Sequence, residues 1–312
     1  MLPFLLKPYY KTVIWGGRSI KAFKGCEVGS ERLGESWEVS AMPGCESVVA
    51  TGALEGLSLS DVCRRFGAEL LGEELYGRTG GEFPLLIKYI DATDDLSVQV
   101  HPGDELARSR HSSHGKSEMW YIVDAKPGAR LSPGLKEVLT PDDFRRRVAD
   151  GTFIDAMAWY ETAPGDLFYV PAGRVHAIGA GNLLVEVQQP SDITYRVYDY
   201  GRRDSDGRLR QLRIDDAIDA IDYDVCDDYR IYAEGTQLIE TRHFKVEHHS
   251  LNNTDSITVG CDTFAVVMCI AGATIAVCGE QSTEIARGHT MIVPAGQRVE
   301  LRGPSSVLVV YP

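Results

Sequence analysis

Four side chains of the types that share a divalent cation fall in three short segments of this 312-residue chain. Gln99 and His101 stand in Ser97-Val98-Gln99-Val100-His101-Pro102, Glu118 in Lys116-Ser117-Glu118-Met119-Trp120-Tyr121, and His176 closes Pro171-Ala172-Gly173-Arg174-Val175-His176. Two imidazoles, one carboxylate and one amide oxygen leave a divalent ion with net positive charge and an open position, as a catalytic site requires. This cysteine-free set suits zinc and would also accept manganese, iron or cobalt. On a strand, Gln99 and His101 share a face, so both reach one ion while Val98 and Val100 pack on the other side.

The elements that must hold these groups are mostly strands. Short β-branched or aromatic runs cut by Gly and Pro recur at 85–90, 120–123, 167–170, 183–187, 264–270 and 307–311. Helical patterning is confined to 59–71, capped by Ser60 or Asp61, to 140–149, where Thr140-Pro141-Asp142-Asp143 supplies a cap, a Pro at the first position and first-turn acids, and to 214–221. Residues 165–173, Gly-Asp-Leu-Phe-Tyr-Val-Pro-Ala-Gly, are echoed by 288–296, Gly-His-Thr-Met-Ile-Val-Pro-Ala-Gly, which implies two related β units. In the second copy the position matching His176 is Val299. One site, not two, is expected, with a boundary near 230 that separates 1–230 from 231–312.

The spacing Gly165-x5-Pro171-x-Gly173-x2-His176 resembles the second motif of the cupin superfamily, a jelly-roll barrel with metal ligands on its inner face. A narrower resemblance covers most of residues 1–204 in order. Lys11-Thr12-Val13-Ile14-Trp15-Gly16-Gly17, Gly34-Glu35-Ser36-Trp37-Glu38-Val39-Ser40, Leu86-Ile87-Lys88, the Gln99 and Glu118 segments, and Tyr195-Arg196-Val197-Tyr198-Asp199-Tyr200-Gly201-Arg202 look like the type I mannose-6-phosphate isomerases of the short bacterial form. The resemblance implies a mainly β fold of two cupin-like jelly-roll units with a few inserted helices. It also implies one zinc ion per chain at Gln99, His101, Glu118 and His176, with Gln99 the ligand that short members often lack. The implied reaction interconverts mannose 6-phosphate and fructose 6-phosphate through an enediol.

A hexose 6-phosphate carries nearly two negative charges, and a chain of net charge −13 repels it unless cations line the cavity. Lys88, Lys116, Arg196, Arg202 and Arg203 are the candidates, with Ser97 as a further phosphate contact. Glu186 and Lys116 are the expected base or proton relay, and Arg196 the cation over the enediolate. Two other readings remain at this stage: an iron-dependent cupin oxygenase, and a sugar-phosphate sensor without turnover.

The same charge argues against nucleic acid or an anionic membrane as partner. The N-terminal apolar run is broken by Pro3 and ended by Lys7, unlike a signal peptide, and no stretch approaches the roughly eighteen apolar residues of a membrane span. Seven cysteines, odd in number and without a Cys-x-x-Cys, suit a reducing cytoplasm. A monomer and a homodimer are equally compatible. Residues 122–164 are expected to form a lid, His111 and His114 to sit in a mobile loop, and the second β unit to cover an edge of the first barrel.

Overall fold

The computed structural model describes residues 1–29, 31–203 and 206–312. It is mainly β, and its first unit is built on six antiparallel strands. Their spatial order is Leu167–Val170, Glu118–Ala125, Asn182–Gln188, Leu86–Ala92, Leu33–Val39 and Tyr9–Gly17. The three strands before the last are buried at every position, and two of them, Asn182–Gln188 and Leu86–Ala92, contain the apolar runs read from the sequence at 183–187 and 85–90.

What alternates along these strands is the kind of surroundings. Trp120, Ile122, Leu184, Ile90 and Ala92 turn inward and cluster with Trp15, Leu131 and Phe168. Glu118, Glu186 and Lys88 stand at i±2 from these and so share the inner face. Met119, Tyr121, Val185, Val187, Ile87 and Tyr89 turn outward and join Val246, Phe264, Val266, Met268, Ile292, Leu308 and Val310 of the second unit. The second unit therefore backs the face of the sheet, not its edge as the sequence suggested. The outward residues are large and apolar, and only another apolar face can bury them.

The opposite wall is made of small pieces. Val98–Val100 pairs with Tyr195–Tyr198, and Arg130–Ser132 lies between Ala177–Ile178 and Tyr160–Glu161. The insertion after Tyr121 carries the helix Pro141–Ala149, closed by a Thr140–Asp143 capping box. Its Phe144 meets Phe153 at 4.9 Å and packs in one core with Val98, Val100 and Tyr195. The insertion is thus a buttress behind the ligand-bearing strand, which departs from the expected lid.

The second unit is organised around the long strand Ala265–Cys278, which a bulge between Cys269 and Ala271 carries beyond the expected 264–270. Val267, Met291, Val293, Val299, Leu301 and Val309 fill its interior. The chain does not divide cleanly at residue 230. Phe4–Lys7 pairs with Thr290–Val293, so the first strand of the sequence completes the sheet of the second unit. Across the seam, the buried Lys24 ammonium, 2.6 Å from Glu38 Oε1, donates to the Gly288 carbonyl, and Thr290 donates to Glu38 Oε2.

The helix expected at 59–71 is broken into Leu59–Phe66 and Ala68–Leu71 at Gly67. Gly67 has φ +41°, and a Cβ there would meet the Tyr76 ring at 2.7 Å. Its N-cap is Ser58, whose hydroxyl accepts from the Asp61 amide. The stretch read as a loop around His111 is the end of a helix, Asp104–His111, and His111 Nε2 lies 2.8 Å from the Tyr195 hydroxyl.

Candidate active site

His101, Glu118 and His176 converge in the first barrel, fully buried, with one donor atom of each within 4.8 Å of the others. The turn before His176 makes this possible. Gly173, at φ +90°, donates its amide to the His101 carbonyl at 2.8 Å, and Gln99 and His176 exchange both backbone hydrogen bonds. Strand and turn are thereby locked side by side.

Each ring is oriented by a carbonyl. His101 Nδ1 lies 2.7 Å from Ile193 O and His176 Nδ1 lies 2.9 Å from Arg174 O. A carbonyl can only accept, so both Nδ1 atoms carry the proton and both Nε2 lone pairs face inward. His101 Nε2 is 3.6 Å from Glu118 Oε2, and His176 Nε2 is 3.6 Å from Glu118 Oε1. Ligand atoms around one tetrahedral zinc stand roughly 3.3 Å apart, so the spacing fits a single ion. Both Glu118 oxygens are buried without a properly directed hydrogen bond, as a carboxylate reserved for a cation would be. Burial, then the nearby Lys116 charge, pushes His101 well below the usual imidazole range, and burial takes His176 down to about 4. Both are neutral, ligand-ready imidazoles at neutral pH.

Gln99 sits on the rim of this triad. Its Nε2 is 3.2 Å from His176 Nε2 and its Oε1 accepts from the Ser97 hydroxyl at 3.3 Å. A half-turn of the amide exchanges these roles and aims the oxygen at the triad. Gln99 is within reach of a shared ion as a fourth donor.

From Glu118 a ladder of alternating charge crosses the inner face of the sheet. Lys116 Nζ is 2.8 Å from Glu118 and 3.6 Å from Glu186; Lys88 is 3.1 Å from Glu186 and 3.8 Å from Glu35; Lys11 is 3.7 Å from Glu35. Neighbouring strands supply successive rungs, with Lys88 opposite Glu186 and Lys11 opposite Glu35 in register. For Glu186 and Lys116 burial opposes the charged form, but their pairing outweighs it. Glu186 is held down to about 2 against its burial by Lys116 and Lys88, and it also accepts from the Trp120 indole. Lys116 is raised despite burial by Glu118 and Glu186. Glu118 is pushed up to about 7 by burial and by Glu186 across Lys116, a shift that a bound cation would reverse.

Lys116, Glu186, Lys88, Glu35 and Lys11 line a cavity of about 400 Å³ together with Trp37, Ser97, Gln99, Asp192, Thr194, Arg196 and Arg210. Ser97 accepts from Arg196 Nε at 3.3 Å, and Arg196 stands opposite Gln99 in register. The structure thus brings Lys88, Ser97, Lys116, Glu186 and Arg196 together with the triad. It leaves Arg202 out. That guanidinium is bound to Asp199 at 2.5 Å and to the Asp95 carbonyl, outside the cavity wall, and Arg203 is turned to the Gly207 carbonyl. Arg210 was missed in the sequence, as were Glu35, Trp37 and Lys11 as cavity residues. Glu35 and Trp37 stand at i and i+2 of one strand, a signal for a shared face that went unused. His114 pairs with Glu82 at the surface, away from the triad.

The comparisons with known proteins agree with this geometry. Residues 4–128 match the family model for the phosphomannose isomerase type I catalytic domain, and residues 234–312 that for the mannose-6-phosphate isomerase cupin domain. The chain is 35% identical over 303 residues to mannose-6-phosphate isomerase ManA of Bacillus subtilis, covering 94% of this chain and 93% of that one. It is 39% identical over 220 residues to the mannose-6-phosphate isomerase of Streptococcus mutans, covering 70% and 67%. The crystal structure of the mannose 6-phosphate isomerase from B. subtilis superposes with a TM-score of 0.91 at 30% identity over the whole of both chains.

Proposed function

The chain belongs to the type I mannose-6-phosphate isomerase family, and from that premise we propose that it interconverts mannose 6-phosphate and fructose 6-phosphate with one zinc ion as cofactor. The observation that carries the reading is the buried His101–Glu118–His176 triad at one end of a lysine–carboxylate ladder whose other members line one cavity. His101, Glu118 and His176, with Gln99 as a fourth donor, would hold the ion. A divalent ion there supplies Lewis-acid stabilisation of negative charge developing on the substrate oxygens.

The rest is done by the chain's own residues. Moving a carbonyl between C1 and C2 requires a proton to leave one carbon and return to its neighbour through an enediol. Glu186, ionised and pinned by Lys88, Lys116 and Trp120, is assigned as the proton acceptor. Lys116, protonated and adjacent to it, delivers a proton to the neighbouring carbon and is recharged by the proton that Glu186 has taken, which restores both groups. Arg196, which makes no ion pair among the described residues, brings a positive charge to the enediolate. The apolar wall of Trp15, Ile90, Leu96 and Ile178 excludes water around it.

Seven cysteines without a disulfide are in keeping with a cytoplasmic setting, and no described helix is long and apolar enough to cross a membrane. A coupled assay with mannose 6-phosphate tests the reading. Turnover should be abolished by chelation and restored by zinc; a metal-replete protein that leaves mannose 6-phosphate unchanged would overturn it.

A further inference from the structure

The ladder of six alternating charges has two unlike ends. Its inner lysines are spent: Lys88 lies between Glu186 and Glu35, and Lys116 between Glu118 and Glu186, and each side chain is only 6% exposed. At the buried end Glu118 faces the cation site. At the other end Lys11 has a single carboxylate neighbour, Glu35, at 3.7 Å, and its side chain is 39% exposed. It makes no hydrogen bond among the described residues, so its three N–H donors are uncommitted. Nζ rests 4.9 Å over the Trp37 ring, and Trp37 donates a 2.7 Å hydrogen bond from Nε1 to Glu35.

The other cavity cations are more committed. Arg210 donates to Asp199 through both Nε and Nη2, and Arg196 donates to Ser97 and to the Gln211 carbonyl. We propose that Lys11 is a substrate-binding residue that receives the terminal phosphate monoester of the sugar, at the end of the cavity remote from the cation. This rests on the isomerase reading above. Six-carbon substrates in open-chain form are elongated dianions with a carbonyl at one end and the phosphate at the other. A ladder that runs from the cation site, along the wall of the cavity, to an uncommitted ammonium matches that charge pattern. Such a contact is made equally in ground and transition states, so it governs binding more than turnover.

Steady-state kinetics of the zinc-loaded Lys11→Met enzyme test the assignment, with inorganic phosphate as the competing probe. KM for mannose 6-phosphate should rise at least tenfold and kcat should stay within twofold. Inhibition by inorganic phosphate should weaken by a similar factor, and Lys11→Arg should recover most of the loss. An unchanged KM would overturn the assignment, as would a fall in kcat at constant KM, which would show Lys11 acting through Glu35 and Lys88 instead. Should Lys11→Met not fold, Lys11→Gln decides by the same two constants. Wild-type enzyme that fails to turn over mannose 6-phosphate sinks the isomerase reading itself; an active wild type with an indifferent Lys11 variant sinks only this one.

Discussion

Two barrels that share one strand-and-turn repeat stand back to back in this chain, and only one has a polar interior. Strand register lets them be compared residue by residue. Val170 is opposite Glu118, and its repeat counterpart Val293 is opposite Ala265. His176 is opposite Gln99, and Val299 is opposite Val259. The Gly173 amide binds the His101 carbonyl, and the Gly296 amide binds the Cys261 carbonyl at 2.9 Å. Trp120 is opposite Glu186, and Val267 is opposite Val309. Gln99, His101, Glu118, His176 and Glu186 thus correspond to Val259, Cys261, Ala265, Val299 and Val309. The turn and its hydrogen bonds survive in both barrels while the chemistry survives in one.

The difference separates two tasks. A buried ladder of lysines and carboxylates adds little net stability, because desolvation consumes most of the Coulomb gain. The apolar interior of the second barrel has no such cost, and its outward face, through Val266, Met268 and Leu308, clamps the sheet on which the ladder is mounted. Rigidity comes from the second barrel, and reactivity from the first.

The comparison is broken most completely by writing the second barrel's residues into the first. Glu118→Ala, which copies Ala265, should remove the ion and cut turnover by about 10³-fold or more, because it deletes a ligand. Metal content and turnover measured on the same preparation check this. Glu186→Val, which copies Val309, leaves the triad intact. It should lower kcat by about 10²–10⁴-fold with the ion still bound, and a kcat within tenfold of wild type would remove Glu186 from the proton path.

The smallest effect concerns acid. A metal-free His176 whose pKa is near 4 takes up a proton on unfolding between about pH 4 and 6.5, so it costs stability as the pH falls through that window. Relative to His176→Val, which copies Val299, the wild-type chain should lose about 1.4 kcal/mol per pH unit there. Urea unfolding of both chains at several pH values measures the difference, and parallel pH curves would contradict it.

The triad was legible in the sequence because its members sit in short strand and turn motifs, and the repeat showed directly that His176 has no counterpart. Strand positions were legible where both faces are apolar, as in residues 265–270. The rest depended on long-range register. That Lys11, Glu35, Lys88, Glu186 and Lys116 form one ladder follows from strands brought together across the sheet, and nothing local to Lys11 announces it. Arg202 looked like a ligand-binding cation because it is close in sequence to Arg196, whereas Asp199 captures it. The strand pairing of Phe4–Lys7 with the far end of the chain was equally invisible, being a contact over nearly the whole length of the sequence.

In the proposed reaction the first barrel holds one ion, and the second, with Val259, Cys261, Ala265 and Val299 at the matching positions, holds none. Elemental analysis of the purified wild-type chain after zinc loading and removal of free metal tests it most directly, with Glu118→Ala alongside. One zinc per wild-type chain and none in the variant is the expected result. Two per chain, or one that persists without Glu118, would contradict it.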